Sequence, residues 1–464
     1  MTRSSRNIVL RLIQINDVYE PGVLDPTRQP GGLPRVAALA KKMSADGVPQ
    51  FLIHSGDAYS PSVFNRLQWQ GAPLAGRHMN EILNAMNIAM AVPGNHEFDL
   101  SPEELHARFQ ESRFPWLNTN LRDAATDALL PGTQPTAVLQ AATVRVGFFG
   151  VSIGSGKPSV RVGDVNQAAH DAVQSLRGQQ VDSIVAITHL MRQQDESLAR
   201  SIPGIDLIAG GHEHEGMLFQ CNGITVAKAQ SNARNLVVHE LHWESHGALQ
   251  WRSRFQDLPV TEPEDAAIAA MAQRWFSLLT QDLTRQGIDA RRTVYSTSEA
   301  LDGLDGSVRI ASTNLSRLIL EGLQTMAAPQ AGGVDFTILS GGVIRLDDVI
   351  PPGPVTEYDL LRIFPFPERL MAVKLPGALV ARLLKREFSF QRLSCYHAHG
   401  ATMDDSAPTV GGAAVDPNRG YTVAVTDHLY RRLQSEAPLA SAVDCGDLRE
   451  LLGRFLALSR RSSR

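Results

Sequence analysis

Five short segments of this 464-residue chain each close an apolar run with side chains able to hold a cation. They are Asn16-Asp17, Gly56-Asp57, Gly94-Asn95-His96, His189, and Gly210-Gly211-His212 with His214 two places on. Carboxylate, amide oxygen and imidazole donors suit a borderline or hard divalent ion, and a carboxylate between two ions can bridge them. A single strand-end Asp or His is most often a turn former or a surface group. Five in order, each at the end of an apolar run, point instead to one shared site.

The elements that must position these residues are legible in the hydrophobic pattern. Continuous apolar runs at 8–15, 50–53, 88–92, 183–188 and 206–209 read as strands covered on both faces, whose ends are where such sheets bind ligands. Segments 33–45, 102–110 and 165–179 carry helical spacing between them, which makes the first part of the chain a layered α/β domain. Residues 261–284 open with acidic residues and a proline and continue at helical spacing, a linker helix between domains. A second domain follows from about 291, with a helix at 314–326, a strand at 335–339 and a glycine loop at Gly341-Gly342; residues 459–464 read as a frayed tail.

Composition narrows the function. A hydrophobic share of 43% and a charged share of 20% are those of a globular protein with enough apolar material for two cores. A formal charge of −4 provides no basic field for nucleic acid, and no stretch reaches membrane-spanning length. Cys221, Cys395 and Cys445 are far apart and form no Cys-x-x-Cys pair, so neither a disulfide framework nor a thiolate zinc site is expected. The N-terminus enters a strand pattern without the apolar run of a secretory signal, so a cytoplasmic enzyme is expected. Gly150-Val151-Ser152-Ile153-Gly154 fits the serine-hydrolase elbow formally, but Gly154-Ser155-Gly156-Lys157-Pro158 follows where a helix must start, and Pro158 also breaks a P-loop. His54, His78, His106, His170 and His239 fall outside the motifs and are read as structural or surface residues.

The motifs GDAYSPS, PGNHEFD, ITHL and GGHEH resemble the successive signatures of the calcineurin-like metallophosphoesterases, in the 5'-nucleotidase branch, and the likeness extends over nearly the whole chain. The resemblance implies an N-terminal four-layer α/β/β/α sandwich at 7–258, a linker helix at 259–290 and a C-terminal α+β substrate-binding domain at 291–464. It implies two divalent ions, with manganese, zinc, cobalt and iron all open. Asp57 would bridge them, Asp17 and His214 would complete one site, and Asn95, His189 and His212 the other. His96 and Asp99 match the family's catalytic pair, an imidazolium held by a carboxylate that stabilises phosphoryl charge or protonates the leaving alcohol. A metal-bound hydroxide would attack phosphorus in line. The chain departs from the family where Asp-x-His is replaced by Asp17-Val18-Tyr19. A neutral phenol, with an ordinary pKa near ~10, is a poor ligand unless a strongly Lewis-acidic ion holds it as tyrosinate. A weaker or water-filled metal position, an iron-tuned site, a hydrogen-bonding Tyr19 and a Tyr19 that merely packs all remain open.

The segment TILSGGVIRLDDVIPPG resembles the glycine loop of the 5'-nucleotidase C-terminal domain, and the resemblance assigns Arg345 to the substrate's oxygens, for which a guanidinium fork is suited. Phe366 matches a base-stacking aromatic, Asn314 the Thr-Asn-Leu helix start, and His428 stands near the place of a second aromatic. Pro367-Glu368 replaces the family's Gly-Asn, and the later glycine motif is missing. The expected function is hydrolysis of a small phosphate monoester, nucleoside 5'-monophosphates leading, with neither nucleic acid nor membrane as partner and no reading of oligomeric state. The rivals are a phosphatase for a non-nucleotide organic phosphate, a cyclic phosphodiesterase, a nuclease of the same superfamily, and a binding protein that lost catalysis through Tyr19.

Overall fold

The computed structural model describes residues 8–27, 29–244, 247–393 and 395–462. The chain divides into two compact units, one ending at Leu279 and the other beginning at Thr280. The division falls within the helix Ala266–Arg285.

The first unit is built on two sheets. One runs in the order Leu249–Asp257, Asn235–Trp243, Ile8–Ile15, Gln50–His54, Ile88–Ala91, Trp116–Leu117, Thr133–Gln134; the other in the order Met217–Cys221, Ile224–Lys228, Leu207–Gly210, Ser183–His189, Val144–Ser152, Thr136–Ala141. Side chains from both, among them Leu12, Ile53, Met90, Phe148, Ile187 and Ala209, share one core, so the sheets pack face to face. The outer face of the second sheet is closed by the helices Val165–Gly178 and Arg192–Ser201 through Val173, Leu176 and Leu198. Truncating a fully buried core aromatic such as Phe148 costs about 3–5 kcal/mol. Among the described residues no helix is long and apolar enough to cross a membrane.

The central strands are parallel, and their registers bring the ends level. Ile15 pairs with His54 and His54 with Ala91 in the first sheet, while Ser152 pairs with His189 and Thr188 with Gly210 in the second. The segments after Ile15, His54, Ala91 and Gly210 therefore leave the sheets at one height beside His189.

The second unit has a five-stranded mixed sheet in the order Tyr396–His399, Phe336–Ser340, Gly420–Thr426, Arg369–Pro376, Val443–Asp447. Strand alternation sends Leu339, Ala372 and Ala424 to one face, against Asn314–Ala331 and Leu448–Ser462. Ile338, Val373 and Val423 go to the other, against Gly377–Leu384 and Asp427–Glu436. The result is an α+β domain with helices on both faces.

Candidate functional site

Local backbone geometry sets the site. Asp17, Asp57 and His212 hold left-handed φ values of 52°, 62° and 82°, a conformation unusual outside glycine that clusters at functional sites. The turn at Asp57 is pinned by Glu97, whose buried carboxylate accepts from the backbone N–H groups of Asp57 (2.9 Å), Ala58 (2.6 Å), Tyr59 (3.3 Å) and Gly94 (2.5 Å). Burial and the neighbouring Asp57 charge push that carboxyl up to about 7 against these donors. Gly94 has to be glycine, because a Cβ there would lie 2.1 Å from Oδ1 of Asp57. The role of Glu97 was invisible in sequence, since it depends on two separate turns converging on one side chain.

Asp17, Asp57, Asn95, His189, His212 and His214 come together at the strand ends. The ligand atoms of Asp17, Asp57 and His189 lie within 4.8 Å of one another, all buried. His189 donates from Nδ1 to the carbonyl of Ser55 at 2.8 Å, which leaves Nε2 at 3.3 Å from both Oδ2 of Asp57 and Oδ1 of Asn95. Such a backbone partner fixes the tautomer of a metal-ligating histidine. His212 has Nδ1 3.0 Å from Oδ1 of Asn95, and its backbone N–H donates to Oδ2 of Asp17 at 2.9 Å. His214 has Nε2 3.5 Å from Oδ1 of Asp17.

The electrostatics are those of a cation site. Burial works against ionisation of Asp17 and Asp57, but the charge of His189, together with His214 and Asn16 at Asp17 and together with His96 at Asp57, holds both below the usual carboxylate range. Burial likewise opposes a charged His189, yet the two carboxylates raise it to about 9. His212 is pushed down to about 3 by burial and by the His189 charge. One proton thus partly offsets two buried negative charges, and a divalent ion would take over that compensation better. The donor set of carboxylates, amide oxygen and imidazoles fits such ions.

His96 and Asp99 lie at the rim, with Nδ1 of His96 2.8 Å from Oδ2 of Asp99. Ser60 donates to the same Asp99 oxygen at 2.8 Å, and Lys157 stands 3.9 Å from the other. The backbone N–H of His96 donates to Oδ1 of Asp57 at 2.8 Å, which couples the pair to the cluster. Tyr19 is buried among the ligand-type residues.

In the second unit, Arg345, Phe366 and His428 line one cavity of about 300 Å³, together with Arg309, Glu368 and Phe390. Phe366 is 40% exposed there. Asn314 does not line this cavity: its amide donates to the carbonyl of Ala300 at 2.7 Å and accepts from the N–H of Asp302 at 2.9 Å, tying a turn to the helix start.

Two face-to-face sheets deliver carboxylates, an amide and imidazoles to one edge, a donor set suited to divalent cations. Residues 10–216 match the calcineurin-like phosphoesterase family and residues 294–433 the 5'-nucleotidase C-terminal domain. The trifunctional nucleotide phosphoesterase protein YfkN of Bacillus subtilis is 26% identical over 73% of this chain, which spans only 25% of that protein's length. Protein UshA of Yersinia enterocolitica is 26% identical over 83% of this chain and 78% of its own. The crystal structure of a 5'-nucleotidase precursor from Thermus thermophilus has a TM-score of 0.78 at 21% identity, covering 97% of this chain and 96% of that one. The chain belongs to the calcineurin-like metallophosphoesterases of the 5'-nucleotidase family, and with them to the phosphoester hydrolases.

Proposed function

We propose that this protein hydrolyses phosphate monoesters, with nucleoside 5'-monophosphates as the leading substrates, the first unit being catalytic and the second substrate-binding. The observation that carries this reading is the convergence of six ligand-type side chains beside the His96–Asp99 pair. Asp17 and His214 would hold one divalent ion, Asn95, His189 and His212 a second, with Asp57 shared. Divalent ions held by these residues would supply Lewis acidity toward the phosphoryl oxygens. His96 keeps its Nδ1 proton on Asp99, so Nε2 is the nitrogen left to donate to the leaving oxygen, a role worth about 10²–10⁴ in rate.

Arg345 and Phe366 support an organic phosphate with a flat apolar part. Glu368 favours a second reading within the same class, a non-nucleotide phosphate, because it contributes a carboxylate to the cavity wall. The deciding experiment is hydrolysis of an aryl phosphate, a nucleotide panel and sugar phosphates by chelated protein refilled with manganese, zinc, cobalt or iron. Metal-dependent turnover that prefers nucleoside monophosphates is expected; folded protein inactive with every metal and substrate would refute the proposal.

A further inference from the structure

Behind the histidine loops lies a buried ammonium that the proposed reaction leaves unused. Lys228, the last residue of the strand Ile224–Lys228, is fully buried. Its Nζ donates to the carbonyls of Leu190 (2.6 Å) and Gly211 (2.8 Å) and to the carboxylate of Glu213. With Asp195 these make four acceptors around three ammonium protons. Oδ2 of Asp195, also fully buried, stands 2.8 Å from the same nitrogen as a charge partner. Asp195 in turn accepts from the Thr188 hydroxyl at 2.6 Å. The contacts fall on either side of the proposed ligands, at Thr188 and Leu190 around His189, and at Gly211 and Glu213 around His212.

We propose that Lys228 is a positioning residue for the metal centre, locking the His189 and His212 segments at the spacing that divalent ions require. The inference rests on the reading of those histidines as ligands. A lysine buried only for stability would be a poor choice, since a buried ion pair is often no more stabilising than apolar residues of similar volume. A point donor reaching two loop carbonyls and a loop carboxylate at once fixes geometry in a way that packing alone does not. Outer partners of this kind typically govern about 10- to 100-fold in metal affinity.

The test compares Mn²⁺ binding, by calorimetry and by the spin-resonance signal of free Mn²⁺, in the wild-type chain and in Lys228→Met/Asp195→Leu, which removes both buried charges together. Melting curves of the metal-free proteins run alongside. Lys228→Gln, able to donate to at most two of the four acceptors, serves if the double variant does not fold. The expected result is a melting temperature near that of the wild type with Mn²⁺ affinity about 10- to 100-fold weaker. A folded variant that binds Mn²⁺ as tightly as the wild type overturns the role of Lys228 and leaves the metal centre standing. A wild-type chain that binds no Mn²⁺, zinc, cobalt or iron overturns both.

Discussion

The Tyr19 hydroxyl lies 2.8 Å from Nε2 of His214, and the same oxygen is 3.2 Å from Oδ1 of Asp17 and 3.5 Å from Oδ2 of Asp57. A phenol therefore stands among three atoms that the family resemblance assigns to one ion. A neutral phenol is a far weaker donor to a divalent ion than an imidazole. Tyr19→His is expected to tighten Mn²⁺ binding about tenfold, roughly 1.4 kcal/mol, measured by titration calorimetry. Weaker binding in Tyr19→His would mean that the phenol oxygen is itself a ligand and that the site is matched to a harder ion.

The His96–Asp99 pair makes a separable prediction. Because the His96 side chain bonds Asp99 and only its backbone touches Asp57, His96→Ala should lower kcat by about 10²–10⁴ while Mn²⁺ affinity stays near wild type. Asp99→Asn, which retains an acceptor without the charge, should lose less. Equal loss of metal affinity and kcat in His96→Ala would identify the histidine as a ligand rather than an acid.

The strand-end motifs were readable because they are local: an apolar run sets the strand, and the next few residues form the loop that register then aligns. Glu97 and Lys228 left no such trace, since each acts on backbone groups from distant turns. Asn314 illustrates a different limit of sequence spacing. It follows Thr313, whose hydroxyl accepts from the N–H of Ser316, and a helix start carries the same short polar residues as a ligand loop. The amide is spent on Ala300 and Asp302, contacts that no sequence spacing discloses.

Gly94 tests how tightly the Asp57 turn is built. A Cβ added there meets Oδ1 of Asp57 at 2.1 Å and its backbone nitrogen at 2.7 Å, so the carboxylate has to move. Displacing a reacting or metal-holding group by ~1 Å commonly costs about 100-fold. Gly94→Ala should lose at least that much in kcat/KM and bind Mn²⁺ more weakly, with a melting temperature only modestly lower; wild-type turnover would show that the turn has slack.

Acid should destabilise the first unit through histidines outside the site. Burial holds His239 and His78 down to about 3, below the ~6.5 of an unfolded chain. A folded-state pKa below the unfolded value means that the unfolded chain takes up the proton first. Stability is therefore complete above pH ~6.5 and falls as pH drops toward 3, by on the order of 3 kcal/mol per histidine at pH 4. The two residues differ in what they give in return. His239 spans Ser253 Oγ at 2.7 Å and Gln14 Oε1 at 2.8 Å, and Gln14 in turn donates to the carbonyls of Gly210 and Ala227, so the chain of bonds ties the two sheets together. His78 has no hydrogen-bond partner on either ring nitrogen among the described residues and stacks on Phe64 at 4.5 Å. His78→Phe keeps the stacking and removes both an unsatisfied polar group and a titrating one, so it should raise stability at pH 7 by about 1 kcal/mol and flatten the acid limb. Urea unfolding at pH 7, 5.5 and 4.5 measures both effects; an unchanged slope between those pH values would show that His78 is protonated in the folded chain.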